Sequence, residues 1–135
     1  SVERVAADAN AILSAVTGKA ALRVFLCAEV QVLSVASTMA EVKEYIPMMA
    51  EKYGIASEAL EAQFQLLRIA ECGVDKYTDF LPRAARLIGR TDPDDVELLA
   101  LALSMEIPVW TNDKHLHLAG VECYSTGELL KKLNL

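Results

Sequence analysis

Asp92-Pro93-Asp94-Asp95-Val96-Glu97-Leu98-Leu99-Ala100-Leu101-Ala102-Leu103 decides how the rest of the chain is read. It opens with a residue suited to cap a helix, then a proline at the first helical position, then acids in the first turn, where they face the positive end of the helix dipole. The helix it predicts, Asp94 to Met105, is apolar on nearly every side and must therefore be buried. Ile107 to Thr111 follows as a strand, and Asn112-Asp113-Lys114 leaves that strand directly. A buried helix that feeds straight into a strand belongs to a protein whose helices cover a sheet.

Working outward, Val121 to Tyr124 reads as another strand, and Ser125 and Glu128 have the spacing of a capping box that starts a terminal helix. Upstream, Tyr77 to Ile88 is helical and closed by Gly89, and Glu71 to Val74 is a short strand or a loop. Ser57 suits the N-cap of a helix running to about Ile69. Thr38 opens a helix in which Met39, Val42, Ile46 and Met49 recur at spacings of three and four, marking one buried face, until Gly54 breaks it. Gln31 to Ala36 reads as a strand, Lys19 to about Ala28 as a helix, and Val2 to Ala7 as a strand ending at Asp8. The alternation predicts an α/β fold in one domain, residues 1–135, with a mainly parallel sheet of about four or five strands and helices on both faces.

Composition agrees. Apolar residues make up 53% of the 135 and charged residues 24%, a globular profile with a sizeable core. No apolar run approaches the roughly 20 residues that cross a bilayer. The opening Ser1-Val2-Glu3-Arg4 lacks the shape of a signal peptide, so a cytoplasmic location is expected. The three cysteines, Cys27, Cys72 and Cys123, are far apart and odd in number, which suggests free thiols rather than a disulfide framework or a zinc knuckle. A net charge of −6 argues against a module that holds nucleic acid mainly through its phosphates. It argues less against a metal-dependent nuclease, whose own carboxylates are neutralised by ions.

In a right-handed β-α-β unit the helices begin at the carboxyl edge of the sheet, the edge where open α/β sheets bind ligands. Asp8 ends the first strand, and Glu41 lies in the first turn of the helix after Gln31 to Ala36, with Glu44 competing for the same place. Asp92, Asp94 and Asp95 start the buried helix, and Asp113 follows the strand behind it. Carboxylates converging on one rim repel each other, and a divalent cation relieves the repulsion. All-oxygen ligands suit Mg²⁺ or Mn²⁺, which polarise phosphates and activate water. His115 and His117 have no companion set for zinc and read as surface residues. Taken singly the acids have simpler explanations: Asp8 and Asn10 suit caps for Ala11 to Val16, and Glu41 suits a solvated helix face.

Asp8-Ala9-Asn10, Thr38 to Val42, the Asp92 to Leu103 run and Trp110-Thr111-Asn112-Asp113-Lys114 resemble the PIN domain in order and approximate spacing. The resemblance spans about residues 2 to 118, with Lys52 to Arg90 contributing only a helical pattern. It implies a metal-dependent ribonuclease that hydrolyses RNA phosphodiester bonds, in many family members as the toxin of a toxin–antitoxin pair. It also implies that Asp8, Glu41, Asp95 and Asp113 are the catalytic, metal-binding acids, with Asp92 a cap or secondary contact. Thr111 and Asn112 would orient Asp113 or a metal-bound water, and Asn10 would brace the loop after the first strand. Lys114 stands where it could touch a phosphate. The partners expected are RNA, an antitoxin if the toxin role holds, and a second copy of the chain, favoured by the apolar content and methionines. The alternative is a PIN fold that binds nucleic acid or protein without catalysis. One departure is the first strand, which carries Glu3 and Arg4 where the family is almost wholly apolar. A phosphatase of the haloacid-dehalogenase kind ranks lower, because Asn10 occupies the place of its second acid. Arg83, Arg86 and Arg90 share one helical face and read as solvated rather than RNA-tracking, and Trp110 as packing.

Overall fold

The computed structural model describes residues 2–118 and 120–135. Strands β1 (Arg4–Ala7), β2 (Gln31–Val35), β3 (Ile69–Cys72), β4 (Val109–Trp110) and β5 (Cys123–Tyr124) form one sheet in the order β3-β2-β1-β4-β5. Every pairing is parallel. The chain builds outward from β1 to β3, then crosses back to place β4 on the other side of β1. That reversal puts a topological switch point at the carboxyl ends of β1 and β4, the place at which such sheets take their ligands.

Between the strands run α1 (Ala9–Val16), α2 (Leu22–Phe25), α3 (Ala36–Tyr53), α4 (Ser57–Leu66), α5 (Leu81–Ile88), α6 (Val96–Met105), α7 (Lys114–Leu118) and α8 (Thr126–Lys132). Strand periodicity divides the core into two. Val5, Ala7, Val32 and Trp110 face one way and pack with Ile12, Val42, Ile46, Phe64 and Leu129 of α1, α3, α4 and α8. Ala6, Leu33, Val35 and Val109 face the other way and pack with Ala84, Ile88, Leu98, Leu101 and Leu116 of α5, α6 and α7. The result is the expected sandwich with helices on both faces.

Helix α6 is buried from Leu98 to Ala102, as its apolar sequence requires. It starts at Val96, two residues later than the proline signal suggests, because Pro93–Asp95 form a tighter 3₁₀ turn first. Helix α5 likewise starts at Leu81, with Pro82 in its first turn, and Thr78–Phe80 precede it as a separate 3₁₀ turn. Helix α4 stops at Leu66 instead of reaching Ile69. Leu67 is already extended, and Ile69 pairs with Val32 as the first residue of β3, earlier than the Glu71 to Val74 expectation. Leu67 and Ile69 both pack on the core, two residues apart, a strand spacing that mimics the end of a helical stripe. Ser57 lies inside α4 behind Ala56 and accepts no capping bond. The helix expected from Lys19 to Ala28 is a single turn, Leu22–Phe25.

Candidate metal centre

Asp8 sits at the hand-over from β1 to α1. Its Oδ1 accepts a hydrogen bond from the backbone N–H of Ala11 at 2.8 Å and so caps the helix. Its Oδ2 accepts a short bond from the Thr111 hydroxyl. Only 4% of Asp8 is exposed, and burial raises its pKa against the lowering by those two bonds; nearby Asp113 raises it further. Asp8 is thus a cap and a rim acid at once.

Thr111 is fully buried just past β4. Its hydroxyl also accepts the Asp113 backbone N–H at 2.9 Å, which ties the loop after β4 to the end of β1. Asp113 in turn caps the short helix α7, its Oδ1 accepting from the His115 N–H at 2.8 Å. Asn112 does not reach Asp113. Its Oδ1 accepts from the Thr126 N–H at 3.0 Å, so it fastens the loop to the start of α8. Asn10 is not in a loop: α1 begins at Ala9, and Asn10 points outward from its first turn with no hydrogen bond among the described residues.

Glu41 comes from α3, which follows β2 without a connecting loop and opens at Ala36 rather than Thr38. Glu41 therefore lies in the second turn, not the first, and is half-buried, while Glu44 is exposed. Burial, then Asp94, then Asp8 raise the pKa of Glu41. Asp95 shows the strongest field: burial pushes it up to about 7, reinforced by Asp8, Glu41, Asp92 and Asp113. These mutual effects place the four acids of the resemblance, with Asp92, in one neighbourhood at the carboxyl end of the sheet.

Asp92 stands at a capping position without acting as a cap. It precedes the Pro93–Asp95 turn but accepts no side-chain capping bond. Its side chain is 10% exposed, and Oδ2 is buried without a hydrogen-bond partner. Burial and Asp113 raise its pKa. Ligand atoms of Asp92, Asp113 and His115 lie within 4.8 Å of one another. His115 is exposed, as the sequence reading expects, and it also stands at the rim. Its spacing of two from Asp113 was the available signal. His117 is turned inward, its Nε2 3.0 Å from the carbonyl of Thr111. Lys114 is exposed, as are Arg83 and Arg86 of α5 and Arg90, which lies beyond the end of that helix rather than on its face, and Trp110 is wholly buried.

Among the described residues the only basic side chain within 4.0 Å of these carboxylates is His115; no lysine or arginine comes that close. Oxygen donors of one charge, one of them orphaned, fit a hard divalent cation, which supplies the missing positive charge.

Fold and rim together define an α/β protein that gathers carboxylates at the switch point of a parallel sheet. The chain belongs to the PIN domain family, whose profile matches residues 6–134. Three solved structures share the fold. VapBC2 from Rickettsia felis, bound to a DNA fragment from its promoter, aligns with a TM-score of 0.67 at 12% identity, covering 90% of this chain and 98% of that one. PAE2754 from Pyrobaculum aerophilum gives 0.64 at 18% identity, covering 98% and 90%. FitAcB from Neisseria gonorrhoeae gives 0.59 at 20% identity, covering 91% and 98%. Sequence comparison with curated proteins gives no significant match. No helix among the described residues is long and apolar enough to cross a membrane.

Proposed function

We propose that the chain, as a single domain over residues 1–135, is an endoribonuclease that depends on Mg²⁺ or Mn²⁺. The observation that carries this reading is a set of carboxylates, Asp8, Glu41, Asp92, Asp95 and Asp113, crowded at one rim without a lysine or arginine partner. Asp8, Glu41, Asp95 and Asp113 would hold the cation, which supplies Lewis-acid polarisation of the phosphate and activation of a water for attack. The protein's own part is placement. The Ala11 N–H and the Thr111 hydroxyl hold Asp8, and the same hydroxyl holds the backbone of Asp113. Lys114, exposed beside Asp113, is in reach of an RNA phosphate at the rim's edge.

Membership of the PIN family supports nuclease activity, and the family includes toxins of toxin–antitoxin pairs. We extend the reading to a cytoplasmic toxin held silent by an antitoxin segment that covers the rim. Induction of the chain alone should then arrest growth, and co-expression of a small protein encoded beside it should restore growth. Self-association through exposed apolar residues such as Met48 belongs to the same reading and is checked by sedimentation.

The deciding experiment is cleavage of a mixed single-stranded RNA with Mg²⁺, Mn²⁺ or chelator, beside Asp8→Asn and Asp95→Asn. Metal-dependent cutting lost in both variants is the expected result. Cutting that survives both variants overturns the assignment, and the absence of cutting with either ion favours a PIN fold that binds without catalysis.

A further inference from the structure

The rim contains a nitrogen donor that a carboxylate-only site leaves out. His115 Nδ1 stands 3.7 Å from Asp92 Oδ2 and 3.7 Å from Asp113 Oδ1. Both separations exceed the roughly 3.2 Å limit of an N–H···O bond, so the ring is bonded to neither oxygen. Donors about 2.1 Å from a shared ion stand about 3 Å apart when adjacent and about 4.2 Å apart when opposite. The observed spacing falls inside that range.

The second observation is the state of Asp92. Its side chain is nine-tenths buried, and the oxygen nearest His115 is sealed from solvent with no hydrogen-bond partner. An unsatisfied buried carboxylate oxygen is costly, and the capping position that could have satisfied it does not. His115 is 62% exposed, so its ring can move onto an ion that enters from solvent. The chain has two histidines, and the other is engaged with the Thr111 carbonyl.

We propose that Asp92, Asp113 and His115 form a mixed oxygen–nitrogen site for a divalent first-row transition ion at the outer end of the rim, which makes the protein favour such ions over Mg²⁺. This rests on the reading of the rim as a cation site and goes beyond it in naming two ligands outside the four acids, Asp92 and His115, and a metal class. The reason is the donor set: imidazole nitrogen binds first-row transition ions, Mn²⁺ the most weakly of them and so the most stringent probe, whereas Mg²⁺ prefers oxygen and retains its water. Asp113 is shared, since its carboxylate also contributes to the field around Asp8 and Asp95.

Mn²⁺ is the probe. Its binding to the purified protein is measured by electron paramagnetic resonance, with Mg²⁺ as competitor, and spin-echo modulation reports nitrogen bound to the ion. The wild-type chain should show imidazole nitrogen coupling. His115→Ala should lose it, weaken Mn²⁺ binding about 10-fold and leave Mg²⁺ binding within about twofold. Asp92→Asn, which keeps the shape of the side chain, should weaken Mn²⁺ binding with the fold intact by circular dichroism. Mn²⁺ bound without nitrogen coupling, or coupling that survives His115→Ala, overturns the mixed site and leaves the carboxylate reading in place. Failure of both ions to bind overturns both.

Discussion

The two ends of the sheet hold their charges in opposite ways. At the amino end Glu3, Arg4, Glu29 and Lys132 line a cavity of about 640 Å³; both signs are present and all four side chains are exposed. At the carboxyl end the rim charges are of one sign, buried or half-buried, and Asp8, Glu41, Asp92 and Asp95 all hold their protons more tightly than usual. Exposed mixed charges are solvated and contribute little either way. Buried like charges work against folding, and a protein keeps them where activity requires them. That cavity is therefore not the best candidate site.

Removing charge at each end tests that contrast most severely. Asp95→Asn should lower metal-dependent RNA cleavage by at least about 100-fold, beyond the loss expected when only a supporting partner is removed. Glu3→Gln and Lys132→Met should leave cleavage within about twofold. A comparable loss from the amino-end changes would erase the distinction.

Thr111 comes next, because it joins the rim to the core. Thr111→Val removes the donor to Asp8 and the acceptor for the Asp113 N–H while nearly keeping the volume. Metal affinity should fall about 10- to 100-fold, and stability by about 1–3 kcal/mol. Thr111→Ser should recover most of both. Unchanged affinity in the valine variant would mean that the hydroxyl serves folding alone.

Much of this was legible in the sequence, and the parts that were not have physical reasons. The Asp92 to Leu103 run announced both the buried helix and the acids at its start, since caps, proline and apolar content are local signals. Strand limits were less legible: Leu67 and Ile69 satisfy a helical stripe and a strand spacing equally, and pairing with β2 settles the matter. Asp8 looked like either a cap or a site acid, and its two carboxylate oxygens let it take a capping bond and a rim bond together. Asn10 carried the right neighbours in sequence but points outward, and Asn112 bears on Asp113 only through the loop that it fastens to α8. The proximity of His115 to Asp92 was not legible because Asp92 lies on another element, and that proximity exists only after β4 returns to the switch point.

Titration probes the carboxyl end by a further, milder effect. A carboxyl whose pKa is raised on folding stabilises the fold below its ordinary value, 3.8 for Asp95, and loses that contribution as pH rises through the folded value of about 7. The metal-free protein should therefore lose thermal stability between about pH 4 and pH 7. Asp95→Asn should reduce that loss by roughly 5 °C in Tm. Added Mg²⁺ or Mn²⁺ should raise Tm more at pH 7.5 than at pH 5, because bound metal displaces the protons. Calorimetry over this range measures all three, and equal metal stabilisation at both pH values would count against binding by the raised-pKa acids.

The smallest expected effect concerns what the rim does not need. Ser125 and Glu128 form a reciprocal capping box at the start of α8, and Asn112 accepts the next backbone N–H, that of Thr126. The cap stabilises the helix, while the Asn112 bond fixes the loop that carries Asp113. Ser125→Ala should therefore cost about 1 kcal/mol of stability, as lost caps do, with metal affinity unchanged within about twofold. Asn112→Ala should reverse the balance, with a smaller loss of stability and a loss of metal affinity of roughly threefold, below the range for a direct partner. Denaturant unfolding and metal titration on the same two variants separate the roles. If both variants lost stability and affinity in parallel, α8 and the Asp113 loop would be one cooperative unit, and the rim would extend further from the sheet than its carboxylates.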